Sequence, residues 1–186
     1  MPQTENERTL IERARRGDKA AIGTLYDEHV QAIYRYVRYR VDTDSLAEDI
    51  TSEVFLRMVR ALPNYAYTGA PFSAWLYRIA YNCITDMFRR QRYDIVDELP
   101  DDLAAEQVDL LDTLTLAEDH AQLRQALQEL SADYQSALIL RFINDVSHAE
   151  LAEIMGKSEA AVRVLQHRAL KALAKALQES QGRGSQ

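Results

Sequence analysis

The sequence predicts an all-α protein of two small helical domains joined by an acidic linker. Three observations carry that expectation. The 186 residues contain only 6 glycines and 4 prolines, too few for the hairpin turns of an all-β fold. Apolar residues recur three or four apart through both halves of the chain. Charge is segregated: residues 1–92 hold 14 Lys and Arg against 12 Asp and Glu, 93–119 hold none against 10, and 120–186 hold 8 against 7. Two mildly basic halves therefore flank one purely acidic stretch, Tyr93 to Asp119, which also carries Pro100 and the pair Asp101-Asp102. Like charges repel and keep a segment extended, so residues 93–116 read as a flexible tether, or as a plain solvated acidic loop.

The elements follow in order. Leu10, Ile11 and Ala14 mark a first helix within 4–16, which Gly17 stops. A second starts near Asp18 and runs through Leu25, Tyr26, Val30, Ile33, Tyr34 and Val37 to the polar break at 42–45. In the third, 46–62, Leu46, Ile50, Val54, Met58 and Leu62 fall at i+4 steps and Pro63 ends the run. A fourth, from about 73 to 90, finishes in the basic cluster Arg89-Arg90-Gln91-Arg92. These four helices make a domain over 1–92. Helices at 117–130, 132–143, 147–155 and 158–179 make a second domain over 117–179, followed by a frayed tail at 180–186. Ser147-His148-Ala149-Glu150 has the spacing of a capping box, Gly156 of a turn, and Ser158 of the next N-cap.

With 47% hydrophobic and 27% charged residues the chain is neither disordered nor collagen-like. The single cysteine, Cys83, rules out an intramolecular disulfide framework and fits a reducing cytoplasm. The polar, acidic start Met-Pro-Gln-Thr-Glu-Asn-Glu is no secretory signal. No apolar run approaches the roughly 18 residues that a membrane-spanning helix needs, so membrane insertion is not expected.

Two segments carry candidate chemistry. In the C-terminal half, Leu151 to Gly156 followed by 157–163 has helix-turn-helix spacing, with Leu151, Ile154, Met155, Val162 and Leu165 inward. The second helix then carries Arg163, Gln166, His167, Arg168 and Lys171 outward. Arg and Gln can read base edges in a major groove, and Lys and Arg can neutralise phosphates. A helical hairpin with solvated outer residues has the same spacing. In the N-terminal half, Phe72-Ser73-Ala74-Trp75-Leu76-Tyr77-Arg78-Ile79-Ala80-Tyr81-Asn82 combines the only tryptophan with other rings, a cation and an amide. Rings and cations suit unstacked bases, and an amide can read an extruded base by its edge. Helical spacing of the same rings suits a core equally, above all for Trp75 and Ile79. The alternating rings and cations from Tyr34 to Arg40 suit nucleic acid or a surface helix face.

Catalysis has no candidate. Glu48, Asp49 and Glu53 lack a histidine partner, and His29, His120, His148 and His167 are scattered without a second ligand at helical spacing. There is no glycine-rich phosphate loop, no Gly-x-Ser-x-Gly elbow and no Cys/His nucleophile pair. Neither a metal nor a cofactor is expected.

Over residues 8–178 the chain resembles a group 4, extracytoplasmic-function (ECF) RNA polymerase sigma factor of the sigma-70 family. The landmarks of region 2 are Leu25-Tyr26-Asp27-Glu28-His29, the run from Ala47 to Leu56, and the run from Phe72 to Asn82. Those of region 4 are Leu130-Ser131, Tyr134 to Phe142, Ser147 to Gly156, and Ala161-Val162-Arg163. The resemblance implies a non-enzymatic subunit that directs promoter-specific transcription initiation. Asp49, Glu53 and Arg57 would dock on the β′ clamp coiled coil of core RNA polymerase. Phe72, Trp75, Tyr77, Arg78, Ile79, Asn82, Arg89 and Arg90 would recognise and melt the −10 element of promoter DNA, with Asn82, Tyr77 and Ile79 holding a flipped base. Ser158, Arg163, Gln166, His167, Arg168 and Lys171 would lie on the −35 element, and the other face of region 4 on the β flap. The acidic linker would occupy polymerase channels lined by positive charge.

Many relatives have glutamine where this chain has Ser52, and Ser-Arg where it has Val164-Leu165, so contacts are expected to differ in detail. With no room for an N-terminal autoinhibitory region or a middle domain, and no further C-terminal domain, restraint by an anti-sigma factor is the family's expected answer. Two other readings stay open on sequence alone: a stand-alone helix-turn-helix transcriptional regulator and a helical adaptor.

Overall fold

The structure, a computed structural model, describes the backbone of residues 6–93 and 118–183 and the side chains of 6–90 and 122–179. The chain divides into two compact units, Met1–Met87 and Phe88–Gln186. The acidic segment expected as a tether lies outside the described residues except for Tyr93, which closes a helix.

In the first unit, α1 (Glu7–Arg15) and α2 (Lys19–Arg38) are separated by Gly17, whose φ of 86° makes the tight reversal that side chains disfavour. Asp18 caps α2, accepting from the amides of Ala20 at 3.0 Å and Ala21 at 3.3 Å. Arg13 reaches the same carboxylate at 2.8 Å and, by that hydrogen bond first, holds its pKa below the usual range. The third helix, α3 (Asp44–Ala61), starts on Thr43, which accepts from Leu46 N at 3.2 Å. Ile50, Val54, Met58 and Leu62 of the i+4 row are buried, while Leu46 is only partly covered. Pro63 ends α3 as expected, inside a 3-10 turn at Leu62–Asn64.

The fourth helix, α4 (Phe72–Tyr93), extends beyond the expected 73–90, and the boundary between the units falls within it. It is anchored on α2 through rings: Tyr77 meets Tyr36 edge-on at 5.8 Å and Phe72 lies 5.5 Å from His29. Tyr36 and Val37 are fully buried and Arg40 is 2% exposed, so the alternating Tyr/Arg run is largely structural.

The second unit contains α5 (Glu118–Gln128), α6 (Ala132–Leu138), α7 (His148–Met155) and α8 (Glu159–Arg183), and α5, α6 and α7 each pack on α8. Buried Gln135 closes the end of α5, its amide donating to the carbonyls of Leu130 at 2.9 Å and Gln128 at 3.4 Å. The helix expected to run unbroken over 132–143 widens after Leu138 into a π turn at Ile139–Ile143. There Asn144 N donates to Ile139 O at 3.1 Å and Val146 N to Leu140 O at 2.9 Å. Ser147 and Glu150 form the expected capping box. Gly156, at φ 65° and ψ 34°, turns the chain and Ser158 caps α8 through Ala161 N at 3.2 Å. That last helix continues to Arg183, past the expected end at 179, so 180–183 is helix where a frayed tail was expected.

Candidate nucleic-acid and polymerase interfaces

On α3, Asp49, Glu53 and Arg57 fall at i, i+4 and i+8 and so share one stripe. Asp49 is exposed, and the other two are partly covered. Arg57 Nε donates to Glu53 Oε1 at 2.7 Å, and Arg57 Nη1 lies 3.7 Å from Asp86 Oδ2 on α4. The guanidinium holds the Glu53 carboxyl below the usual range, and Glu53 in return raises the Arg57 pKa. Leu56 and Val59, which the sequence reading passed over, are 52% and 41% exposed on this helix. Their exposure had no clear mark in the sequence, since Ala47 and Phe55 also lie off the i+4 row and are buried. The outer side of α3 is therefore mixed, charged and apolar.

The aromatic segment of α4 separates into two sides. Phe72 is 0% exposed at the centre of a ring cluster, 5.5 Å from Tyr65 and 5.3 Å from Trp75, with Tyr65 and Trp75 4.6 Å apart. Tyr77 is 4% exposed against Tyr36. Both were expected to face DNA; helical periodicity puts them on the side that carries Leu76, Ala80 and Ile84, and they are core residues in this structure. Trp75 and Ile79 are partly covered. The exposed members are Arg78, Asn82 and Arg89, which with Thr85 recur at i, i+4, i+7 and i+11 and so form one polar stripe; Arg90 is exposed beside it.

In the helix-turn-helix, Leu151, Ile154, Met155 and Val162 are buried as expected, and Leu165 is partly covered. Arg163 and Arg168 are exposed on α8 and His167 partly so, with Arg163 Nη2 3.6 Å from Glu159 Oε2. Two of the expected contacts make hydrogen bonds within the unit. Gln166 Oε1 lies 2.7 Å from His148 Nε2 on α7, and the Ser158 hydroxyl serves as cap. The Lys171 ammonium nitrogen is buried with no hydrogen-bond partner among the described residues. Among the described residues no group of three or more His, Cys, Asp and Glu is placed to hold a metal, and no helix is long and apolar enough to cross a membrane.

Two family models match the chain, one in each half. Sigma-70 region 2 matches residues 25–93, and Sigma-70 region 4 matches 120–173. The ECF RNA polymerase sigma factor SigD of Mycobacterium tuberculosis is 33% identical over 182 residues, covering 92% of this chain and 84% of the relative. This chain belongs to the ECF RNA polymerase sigma factors. A second relative, the ECF sigma factor BldN of Streptomyces coelicolor, is 39% identical over 170 residues, which are 90% of this chain and 64% of BldN. Among solved structures, CnrH in complex with the cytosolic domain of CnrY is similar with a TM-score of 0.70 at 23% identity, covering 93% of this chain and 97% of that one. At that identity the likeness is one of fold. The region 2 match takes in most of α2 with α3 and α4, and the region 4 match takes in most of α5, then α6, α7 and the first part of α8.

Proposed function

We propose that this sigma factor binds core RNA polymerase through the outer face of α3 and reads a two-part promoter with α4 and α8. The observation that carries the reading is that each matched family region exposes one cationic helix face, Arg78-Asn82-Thr85-Arg89 on α4 and Arg163 with Arg168 on α8. Region 4 lays α8 in the major groove of the −35 element, where the exposed arginines pair with phosphates or guanine edges. Region 2 sets its polar stripe against the −10 element, with Asn82 offering both an amide donor and an acceptor to the edge of a base drawn out of the stack.

Strand opening needs no chemistry on this chain. Binding energy from the displaced strand offsets unstacking, which costs a few kcal/mol per base. Polymerase carries the catalysis, and the chain acts in the cytoplasm where polymerase works. The segment from 93 to 119, with 10 acidic residues and no basic ones, supplies the charge to occupy a basic polymerase channel. An anti-sigma factor restrains the free protein by covering the polymerase-binding face. CnrH and the RpoE of Bartonella quintana were each solved with a partner, and the partner of RpoE, NepR, is an anti-sigma factor.

The test is binding to purified core polymerase by the full chain and by Asp49→Lys/Glu53→Lys. Wild type is expected to bind and the double reversal to lose at least tenfold in affinity while melting normally. Equal binding would remove α3 from the interface.

A further inference from the structure

The reading face of α8 contains an apolar element that no charge argument uses. Val164 is 52% exposed, the only large apolar side chain on this helix among the described residues to be so open. Ala161 and Ala160, three and four residues earlier, are exposed as well. At 3.6 residues per turn Val164 stands about 40° around the helix from Arg168 and about 100° from Arg163, between the two exposed cations. Val162 and Ala169, both 0% exposed, face away into the core of the unit. A β-branched residue is a weaker helix former than the alanine, arginine or glutamate that neighbouring exposed positions use, so helix formation does not call for valine there.

We propose that Val164, with Ala160 and Ala161 beside it, is a specificity-determining contact that reads the 5-methyl group of a thymine in the −35 element. The inference rests on the assignment of α8 to that element and adds a base to it. Short apolar side chains near the N-terminal end of a recognition helix let the backbone come close to the groove floor, where thymine presents the only methyl group among the four bases. The flanking arginines provide the complementary charge that seats the apolar patch between phosphates. The alanines leave room on one side of Val164, so its two methyl groups meet the thymine methyl without a competing polar group to desolvate.

The experiment uses holoenzyme assembled from the full chain and core polymerase. A duplex pool with a randomised upstream element is first selected for binding. Each thymine of the winning −35 sequence is then replaced singly by deoxyuridine, which removes only the methyl. At one thymine the wild type is expected to lose about fourfold in affinity, the worth of one buried methyl group. Val164→Ala, which favours the helix and is checked by thermal melting, is expected to bind thymine and deoxyuridine equally at that position and to keep its other preferences. The proposal is overturned if no thymine responds, as when Val164 is covered by a protein surface instead, or if Val164→Ala still distinguishes the two bases. Failure of the underlying assignment looks different: the holoenzyme selects no upstream sequence at all, and Arg163→Ala changes nothing.

Discussion

His148 Nε2 lies 2.7 Å from Gln166 Oε1, so the first residue of α7 holds the side chain at the eighth position of α8 across the helix-turn-helix. With the ring nitrogen donating to the amide oxygen, the Gln166 NH2 is left to donate outward. The pair thus ties the start of α7 to α8. His148→Ala and Gln166→Ala should each destabilise region 4 by about 1 kcal/mol, the net worth of one such hydrogen bond. The double variant should cost little more than either single one, and denaturant titration of all three gives the coupling directly.

The two sides of α4 should separate stability from function. Phe72→Ala removes the centre of the ring cluster and is expected to cost roughly 3–5 kcal/mol in unfolding free energy. Asn82→Ala, on the exposed stripe, should stay within about 0.5 kcal/mol of wild type yet reduce promoter opening at least tenfold. Urea unfolding and permanganate reactivity of unpaired thymines measure the two effects.

His29 gives region 2 a pH dependence. Burial pushes its pKa below the ordinary 6.5, against a smaller opposing effect of Glu28 and Glu7, and Nε2 has no hydrogen-bond partner. Between the lowered folded value and 6.5 the unfolded state therefore binds more protons than the folded one. This contribution to stability is fully present above 6.5 and is lost as the pH falls through 6.5 towards the folded value. His29→Leu should flatten that part of the stability curve, measured as the difference in melting temperature between wild type and variant from pH 7.5 to 5.

Cys83 is 7% exposed on α4, and burial raises its thiol pKa despite the nearby Arg57 charge. Little thiolate forms at neutral pH, so alkylation by iodoacetamide should be at least tenfold slower in native protein than in urea. Equal rates would show that α4 opens readily.

Much of this fold was legible because periodicity and caps act locally. Asp18, Ser147 and Ser158 each announce a helix start by a side-chain oxygen that a nearby amide can use, whereas Thr43, read as part of a polar break, caps a helix that starts at Asp44 and not at 46. The π turn at Ile139–Ile143 left no such mark, since Leu138 to Ile143 reads as continuous helix in composition. For Phe72 and Tyr77 the sequence left core and stacking platform both open, because a ring suits either, and only the partners Tyr65, Trp75 and Tyr36 show that they pack in the core. The His148–Gln166 contact joins residues 18 apart, so no local pattern encodes it.

The central claim is that this chain gives polymerase its promoter choice through two separate helix faces. Run-off transcription from a panel of genomic promoters, with core polymerase alone, with the wild-type chain, and with Arg163→Glu/Arg168→Glu, tests it most directly. Discrete start sites should appear only with wild type and fall at least tenfold with the double reversal, whose two exposed substitutions leave core polymerase binding intact. Transcripts that are independent of the chain, or that persist undiminished after both reversals, would contradict the account.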